Sequence, residues 1–368
     1  MNKMIVANLV HRPIRTAISI IAVAVEVTLI LLMVGLSVGI LNDAKERTQG
    51  VGADIMVQPP GSSFFQAISG APVSMKVADI LRKVPHVVAV APVYTQLNTA
   101  GAVEVIDGID LKSFESIGGP FRYLAGGPFQ GPDDVIVDDY FADQNHVHVG
   151  DMIQMLGPHK FRVCGIVEHG KGARKFVPIT TLQDLVGGVG KASIFYVKLD
   201  DPKNADAVTA EIKKVPGLET FVVRSIKEYL SLMTMGNIPG LSTFISVVIG
   251  VAVVIGFIVI FQAMYAAVME RTREIGILKS LGASKAYIVQ AIVRETVLLA
   301  ILGVILGVAV SYGARAAIIE RFPLLRILVQ PIWVMRATGI ALVGAVLGAL
   351  YPAFKAAQKD PIDALAYE

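Results

Sequence analysis

Cysteine is all but missing: Cys164 stands alone in 368 residues, so no intrachain disulfide can form and cysteine usage leaves the redox compartment open. Charge is scarce as well, at 17% of residues against 54% apolar, which excludes an ordinary soluble domain. The net charge of +3 selects no partner, and no nucleic-acid partner is expected. A phosphate-binding loop is absent too. The nearest approach, GGVGKAS at Gly187 to Ser193, has Leu185 where the first glycine should stand and Ala192 where a Ser or Thr should follow the lysine. Metal and catalytic chemistry are equally thin. His146 and His148, two apart, would share a strand face, but no third ligand accompanies them. No Ser-His-Asp order or supported pair of acids is present, so no active site, cofactor or resident metal is expected in this chain.

What is abundant is long apolar sequence. A membrane-spanning helix needs about 20 mostly apolar residues, and four stretches qualify: Thr16 to Leu41, Leu241 to Met269, Ile288 to Ala314 and Ile332 to Phe354. The first follows Lys3, Arg12 and Arg15 as a signal peptide would, yet its apolar run is too long and no A-x-A-like site closes it, so it reads as an uncleaved anchor. Flanking cations set the orientation. Three lie in the N-terminal tail, four between the second and third stretches (Arg271, Arg273, Lys279, Lys285) and two after the fourth (Lys355, Lys359), which places both termini inside. Arg315, Arg321 and Arg326 oppose this as a minority, with Arg336 just inside the fourth stretch.

Residues 42–236 therefore face outward, and a weak repeat suggests their architecture. Asp54 to Gln58 and Ser193 to Leu199 are strand-like, and each precedes a helical pattern ending in LRKVP (Leu81 to Pro85) or IKKVP (Ile212 to Pro216). A second strand follows each phrase, Val87 to Tyr94 and Leu218 to Val223. Between these two β-α-β units, residues 98–192 are rich in Gly-Pro and Gly-Gly turn signals around short β-prone runs such as Val135 to Val137 and Phe161 to Val167. The expected fold class is a membrane α-helical protein with four spans plus an α+β outer domain, a split β-α-β part holding a β-rich insertion.

The charged segment between the second and third stretches, residues 270–285, reads as an amphipathic helix. Helical spacing brings Ile275, Leu278 and Leu281 within one turn of each other, with Arg271, Glu274 and Lys279 flanking, a stripe suited to a partner's groove. Gly282 supplies a stop and Ser284 a cap for the next helix, so a push on this segment should move two spans together. A connector resting on the lipid surface is the plainer reading of the same periodicity. Gly35 and Gly39, Gly303 and Gly307, Gly344 and Gly348 form small-xxx-small pairs that permit close helix packing. Glu26 sits roughly 15 Å into the first span at 1.5 Å per residue, where an unpaired charge is costly. Arg294 and Gln262 lie at similar depth, so a polar contact with one of them is expected; the alternatives are a proton or substrate contact, a packing contact between spans and a protonated acid.

ERTREIGILKSLGAS (Glu270 to Ser284), the helix start containing Glu295 and the tail YPAFKAAQKDPIDALAYE (Tyr351 to Glu368) closely resemble the signature of MacB/FtsX-like (type VII) ABC transporter permeases. ANLVHRPIRTAISIIAVAVEV resembles their N-terminal start, and Val135 to Gly170 resembles their periplasmic core domain. The resemblance implies domains over 1–41 (cytoplasmic segment and first span), 42–236 (MacB-like core), 237–354 (FtsX-like, spans two to four) and 355–368 (cytoplasmic tail). It also implies a permease that dimerises in a bacterial inner membrane and binds a cytoplasmic ABC ATPase carrying ATP and Mg. The contact would run through Glu270, Arg271, Arg273, Glu274, Ile275, Leu278, Lys279, Leu281 and Gly282. A helix opened by Pro361 after Asp360 would touch the ATPase as well. Because the chain opens at its first span, the subgroup with a fused ATPase domain is not expected. Relatives export peptides or macrolides, extract lipoproteins or activate cell-wall hydrolases. Export or extraction of a hydrophobic, lipid-linked or peptide substrate, with a periplasmic adaptor as a further partner, is preferred on the size of the outer domain. The alternative is an FtsX-type transmitter that switches an extracellular hydrolase; a sensor subunit for antimicrobial peptides would have more spans.

Overall fold

A computed structural model describes residues 13–62, 71–98, 104–238 and 240–358. The Asp360–Pro361 helix expected in the tail lies outside them. In chain order the elements are α1 (Pro13–Gly50), β1 (Ile55–Gln58), β2 (Val73–Ser74), α2 (Val77–Leu81), β3 (Val87–Asn98), β4 (Glu104–Ile109), α3 (Leu111–Gly118), β5 (Tyr123–Gly126), β6 (Asp134–Asp138) and α4 (Asp139–Asn145). There follow β7 (Met152–Gln154), β8 (Lys160–Val167), β9 (Lys175–Pro178), α5 (Ile179–Val186), β10 (Lys191–Ala192), β11 (Ile194–Leu199), α6 (Ala205–Ile212), β12 (Val222–Ser225) and α7 (Ile226–Leu232). The last four are α8 (Leu241–Glu270), α9 (Thr272–Ser280), α10 (Lys285–Arg321) and α11 (Pro331–Gln358). Two compact units result. One comprises the described parts of Met1–Gly39, Pro239–Glu320 and Ile327–Glu368; the other comprises Ile40–Ile238 with Arg321–Arg326.

In the first unit α1, α8, α10 and α11 are the four described helices long and apolar enough to cross a membrane. Glycines bring them together. A Cβ on Gly303 would lie 2.5 Å from Cβ of Val23, and one on Gly307 would lie 2.7 Å from the Ala24 carbonyl oxygen, so α10 closes on α1 through the expected pair. Gly348 does the same for α11 on α8, where a Cβ would meet the Phe257 carbonyl oxygen at 3.0 Å. Gly344 is looser, its nearest neighbour 4.0 Å away. Gly39 is buried, whereas Gly35 departs from the expectation of helix packing. It receives the extended chain at Ile327 and accepts the Leu328 N–H at 2.9 Å.

The second unit is built on one mixed sheet in the order β12-β1-β11-β3-β4-β9-β6-β8-β5, with β7 on β8. β1-α2-β3 and β11-α6-β12 are the two β-α-β units anticipated from the repeat. The insertion is not a separate lobe of the sheet. Strand β3 is long enough to pair β11 through Val87–Val93 and β4 through Val93–Asn98, so one continuous ladder carries both parts. Among the described strands, only β4 with β9 and β6 with β8 run parallel. The insertion also carries α3, α4 and α5 besides its strands. The expected strand Leu218–Val223 is displaced to Val222–Ser225, because Gly217 at φ +88 makes a turn whose bonds extend to Phe221. His146 and His148 do not share a strand face. His146 ends α4 in the left-handed region at φ 53, and His148 follows in a turn.

Three apolar clusters fill the unit: one around Phe114, Phe176 and Tyr196, one beneath α2 and α6 around Phe195 and Leu81, and one beneath α4 and α5 around Phe161 and Val137. One buried polar pair spans two neighbouring strands. Thr95 Oγ1 donates to Asp107 across β3 and β4 at 2.8 Å, and burial pushes the Asp107 carboxyl up to about 6. α1 runs past the expected end at Leu41 to Gly50, since its helical bonding outlasts the apolar run. In that polar extension Asp43 accepts from Arg47 at 3.0 Å and from Arg174 at 2.9 Å, while Arg174 also reaches Asp138 at 2.8 Å.

Candidate functional site

The segment between α8 and α10 is a discrete helix, as its sequence predicts. At Arg271 the backbone leaves the α-helical region (φ −107, ψ 16), ending α8 and starting α9. Thr272, buried, turns its hydroxyl back onto the Val268 and Met269 carbonyls at 3.1 and 2.9 Å, which ties the bend to the last turn of α8. At the other end Gly282 takes φ +94, a conformation glycine adopts without strain, and the Ala283 N–H reaches back to the Leu278 carbonyl at 2.9 Å. Ser284 Oγ then accepts the Tyr287 N–H at 3.2 Å and caps α10.

What holds this helix is an ion cluster that has four members among the described residues. Glu295, one turn beyond the first two turns of α10 and 4% exposed, accepts from Arg271 at 3.1 Å and from Arg15 of α1 at 3.4 Å. Arg15 also reaches Glu270, the last residue of α8, at 3.4 Å. Two arginines and two glutamates neutralise one another here, linking α1, α8, the bend and α10. A second fixture is Lys279, whose ammonium donates to the Ala357 carbonyl near the end of α11 at 3.0 Å. All four spans are therefore bonded to α9 or to the residues at its ends.

The apolar stripe divides. Ile275 and Leu278 are half-buried and line a cavity of ≈ 310 Å³ with Met264, Val268, Ile288 and Ile292, so they face the neighbouring spans rather than outward. Leu281 remains on the outer face at 79% exposure, and Ile277, 44% exposed, stands at the edge of the same cavity. Arg273 and Glu274 are exposed beside them. The physical reason is crossing geometry: the spans converge on the Ile275–Leu278 side, and the break at Arg271 rotates α9 relative to α8.

The intramembrane polar residues are not brought together. Glu26, 4% exposed, sets its carboxyl group against Gly256 of α8, where an added Cβ would fall 2.1 Å from Oε2, and its Oε1 has no hydrogen-bond partner. The expected contact with Arg294 or Gln262 is absent. Arg294 is exposed on α10, and Gln262 instead lines a groove with Arg15, Val259 and Glu270. Glu295, by contrast, is the hub of the cluster. Arg15, read from sequence only as a topology-setting cation, is the member that residue counting missed; its place directly before an apolar run was the available signal. GGVGKAS forms the turn from α5 into β10, with Gly187 and Gly190 at φ +68 and +70.

Comparison with known proteins gives two family matches, "MacB-like periplasmic core domain" over residues 16–215 and "FtsX-like permease C-terminal" over residues 246–361. The chain is 25% identical over 393 residues to the macrolide export ATP-binding/permease protein MacB of Shewanella sp. (strain W3-18-1), covering 97% of this chain and 59% of that relative. It is 30% identical over 229 residues to the uncharacterized ABC transporter permease YknZ of Bacillus subtilis (strain 168), covering 60% of this chain and 55% of that one. The chain thus spans less than two thirds of the length of these curated relatives. Among solved structures, the periplasmic region of MacB from Actinobacillus actinomycetemcomitans aligns at 18% identity and a TM-score of 0.39, covering 52% of this chain and 97% of that one. The extracellular domain of YknZ from Gram-positive bacteria aligns at 15% and 0.36, covering 47% and 98%. With its polar unit and its C-terminal spans matched by successive family models, the chain belongs to the MacB/FtsX-type ABC transporter permeases, membrane subunits with an extracytoplasmic domain.

Proposed function

We propose that this chain is the permease subunit of an ABC transporter whose separate cytoplasmic ATPase grips α9, and that ATP-driven movement of α9 is passed to the extracytoplasmic domain. That movement exports or extracts a hydrophobic, lipid-linked or peptide substrate. The observation that carries the reading is the mounting of α9. It is bonded to its neighbouring spans through Glu295 and Lys279 while Leu281, Ile277, Arg273 and Glu274 stay exposed. A helix so fixed cannot be displaced without moving its neighbours, and its outer face pairs apolar side chains with charges of both signs, as a protein interface core and rim do. ATP and Mg belong to the partner, and a second permease copy and a periplasmic adaptor complete the assembly.

The test is purification of the full chain with its ATPase, followed by an ATPase assay with candidate lipids, lipoproteins and peptides. Leu281→Asp should remove the ATPase from the complex, and one substrate class should stimulate hydrolysis in the unaltered complex. Retention of the ATPase by Leu281→Asp together with Ile277→Asp would refute the assignment of this face.

A further inference from the structure

The arginine that argued against the orientation has a structural use. Arg326 lies in the short connection between α10 and α11, and the first part of that connection, through Arg326, belongs to the same compact unit as the extracytoplasmic domain. Its guanidinium donates to Glu46 on the polar extension of α1 at 2.7 Å and to the Tyr140 hydroxyl of α4, and it lies over the Tyr140 ring at 5.0 Å. The groups it grips are themselves fixed. The His169 ring stacks on Tyr140 at 3.9 Å, and Asp139 holds His169 through both Nδ1 and the backbone N–H at 3.0 Å. Asn42 donates to Glu46 at 3.2 Å. A second tether is independent of Arg326: the Leu324 N–H donates to the Gln144 side chain, also on α4, at 3.1 Å.

We infer that this connection is a clasp, and that it forms a second, non-covalent mechanical route from α9 to the extracytoplasmic domain, beside the covalent one through α1 and α8. The inference rests on the coupling reading above. α10 is an unbroken helix of 37 residues that starts four residues after Leu281 and ends at Arg321, so it is a rod of about 55 Å at 1.5 Å per residue. A rod whose one end adjoins α9 and whose other end is clasped to α4 transmits displacement only while the clasp holds. An unclasped loop would absorb it by bending. Arg326 is therefore a positioning residue for the domain's stroke, with Tyr140 as its seat.

The test uses the full chain in nanodiscs with its ATPase, read by hydrogen–deuterium exchange with and without vanadate-trapped ATP. In Arg326→Ala the peptides over 321–326 and 139–145 should exchange about tenfold faster without nucleotide. The nucleotide-dependent change at 139–145 should shrink by about fivefold while ATPase retention stays as in the unaltered chain. The charge swap Glu46→Arg with Arg326→Glu, which keeps an acceptor for the Tyr140 hydroxyl, should restore both. Unchanged exchange in Arg326→Ala overturns the clasp, and an undiminished nucleotide response at 139–145 overturns the second route. If Arg326→Ala fails to fold, Glu46→Gln with Tyr140→Leu removes the ion pair, the hydroxyl and the ring that hold Arg326, Gln144→Ala removes the other tether, and both are judged by the same criteria. An unaltered chain that never retains an ATPase would sink the coupling reading instead, and the exchange rates without nucleotide would still decide the clasp.

Discussion

Removing the Glu295 carboxylate should loosen α9 more than any other single change in the first unit. Glu295 is 4% exposed and its partners are well shielded, with Arg271 and Arg15 side chains 12% and 15% exposed. Deleting one member of a buried pair in a soluble protein costs roughly 3–5 kcal/mol, because the remaining charge is left uncompensated. Arg15 keeps Glu270 at 3.4 Å, so Glu295→Ala belongs at the lower end, about 3 kcal/mol. Glu295→Gln keeps an acceptor and loses the charge, which should cost about 1–2 kcal/mol, the difference between charge-assisted and neutral hydrogen bonds. The decisive assay is a double-mutant cycle on Arg271 and Glu295, with stability read from SDS-titrated unfolding in mixed micelles. A coupling energy of about 1–3 kcal/mol is expected for groups in direct contact. The Arg15–Glu270 cycle should give less than about 1 kcal/mol, since Glu270 is 43% exposed and solvent screens the pair. A coupling below about 0.5 kcal/mol for Arg271–Glu295, or an inverted ranking of the two cycles, would refute the view that Glu295 is the hub.

Gly303→Leu should destabilise the bundle by about 1–3 kcal/mol through overpacking against Val23, whereas Gly339→Ala, with nothing within 4 Å of its Cβ, should not lower the unfolding midpoint. Asp107 has a folded pKa raised by burial from 3.8 to about 6, so its contribution to stability is full below 3.8 and is lost as pH rises through about 6. Asp107→Asn should flatten that part of the thermal-stability profile of the extracytoplasmic domain, by up to about 3 kcal/mol before solvent relaxation; an unaltered profile would contradict it. Burial also pushes the Cys164 thiol up to about 12, so its thiolate fraction near neutrality should be about a thousandfold below that of a free cysteine. Labelling of the native chain with N-ethylmaleimide should be correspondingly slow, and prompt labelling would show that the site is open.

Two kinds of information were separable in this protein. Helical spans, the stop at Gly282, the cap at Ser284 and the two β-α-β units were legible in the order of residues, because each follows from local periodicity or from one residue's backbone preference. Even the glycine pair Gly303 and Gly307 was readable, since close approach of two helices demands small side chains at that spacing. The partner of each polar group was not. Glu26 and Glu295 look alike in sequence, acids in apolar helices, yet one is set against a glycine and the other joins two arginines from segments 280 and 24 residues away. Depth along a helix says how far a side chain lies from an end, but rotation about the axis and the crossing of neighbouring helices decide what it meets. For the same reason the Ile275–Leu278 stripe turned inward, and Arg326 proved to be a ligand of Tyr140 and Glu46 rather than a cation counted for orientation. Local pattern determined which elements exist; only packing, a property of several segments at once, determined which charges they share.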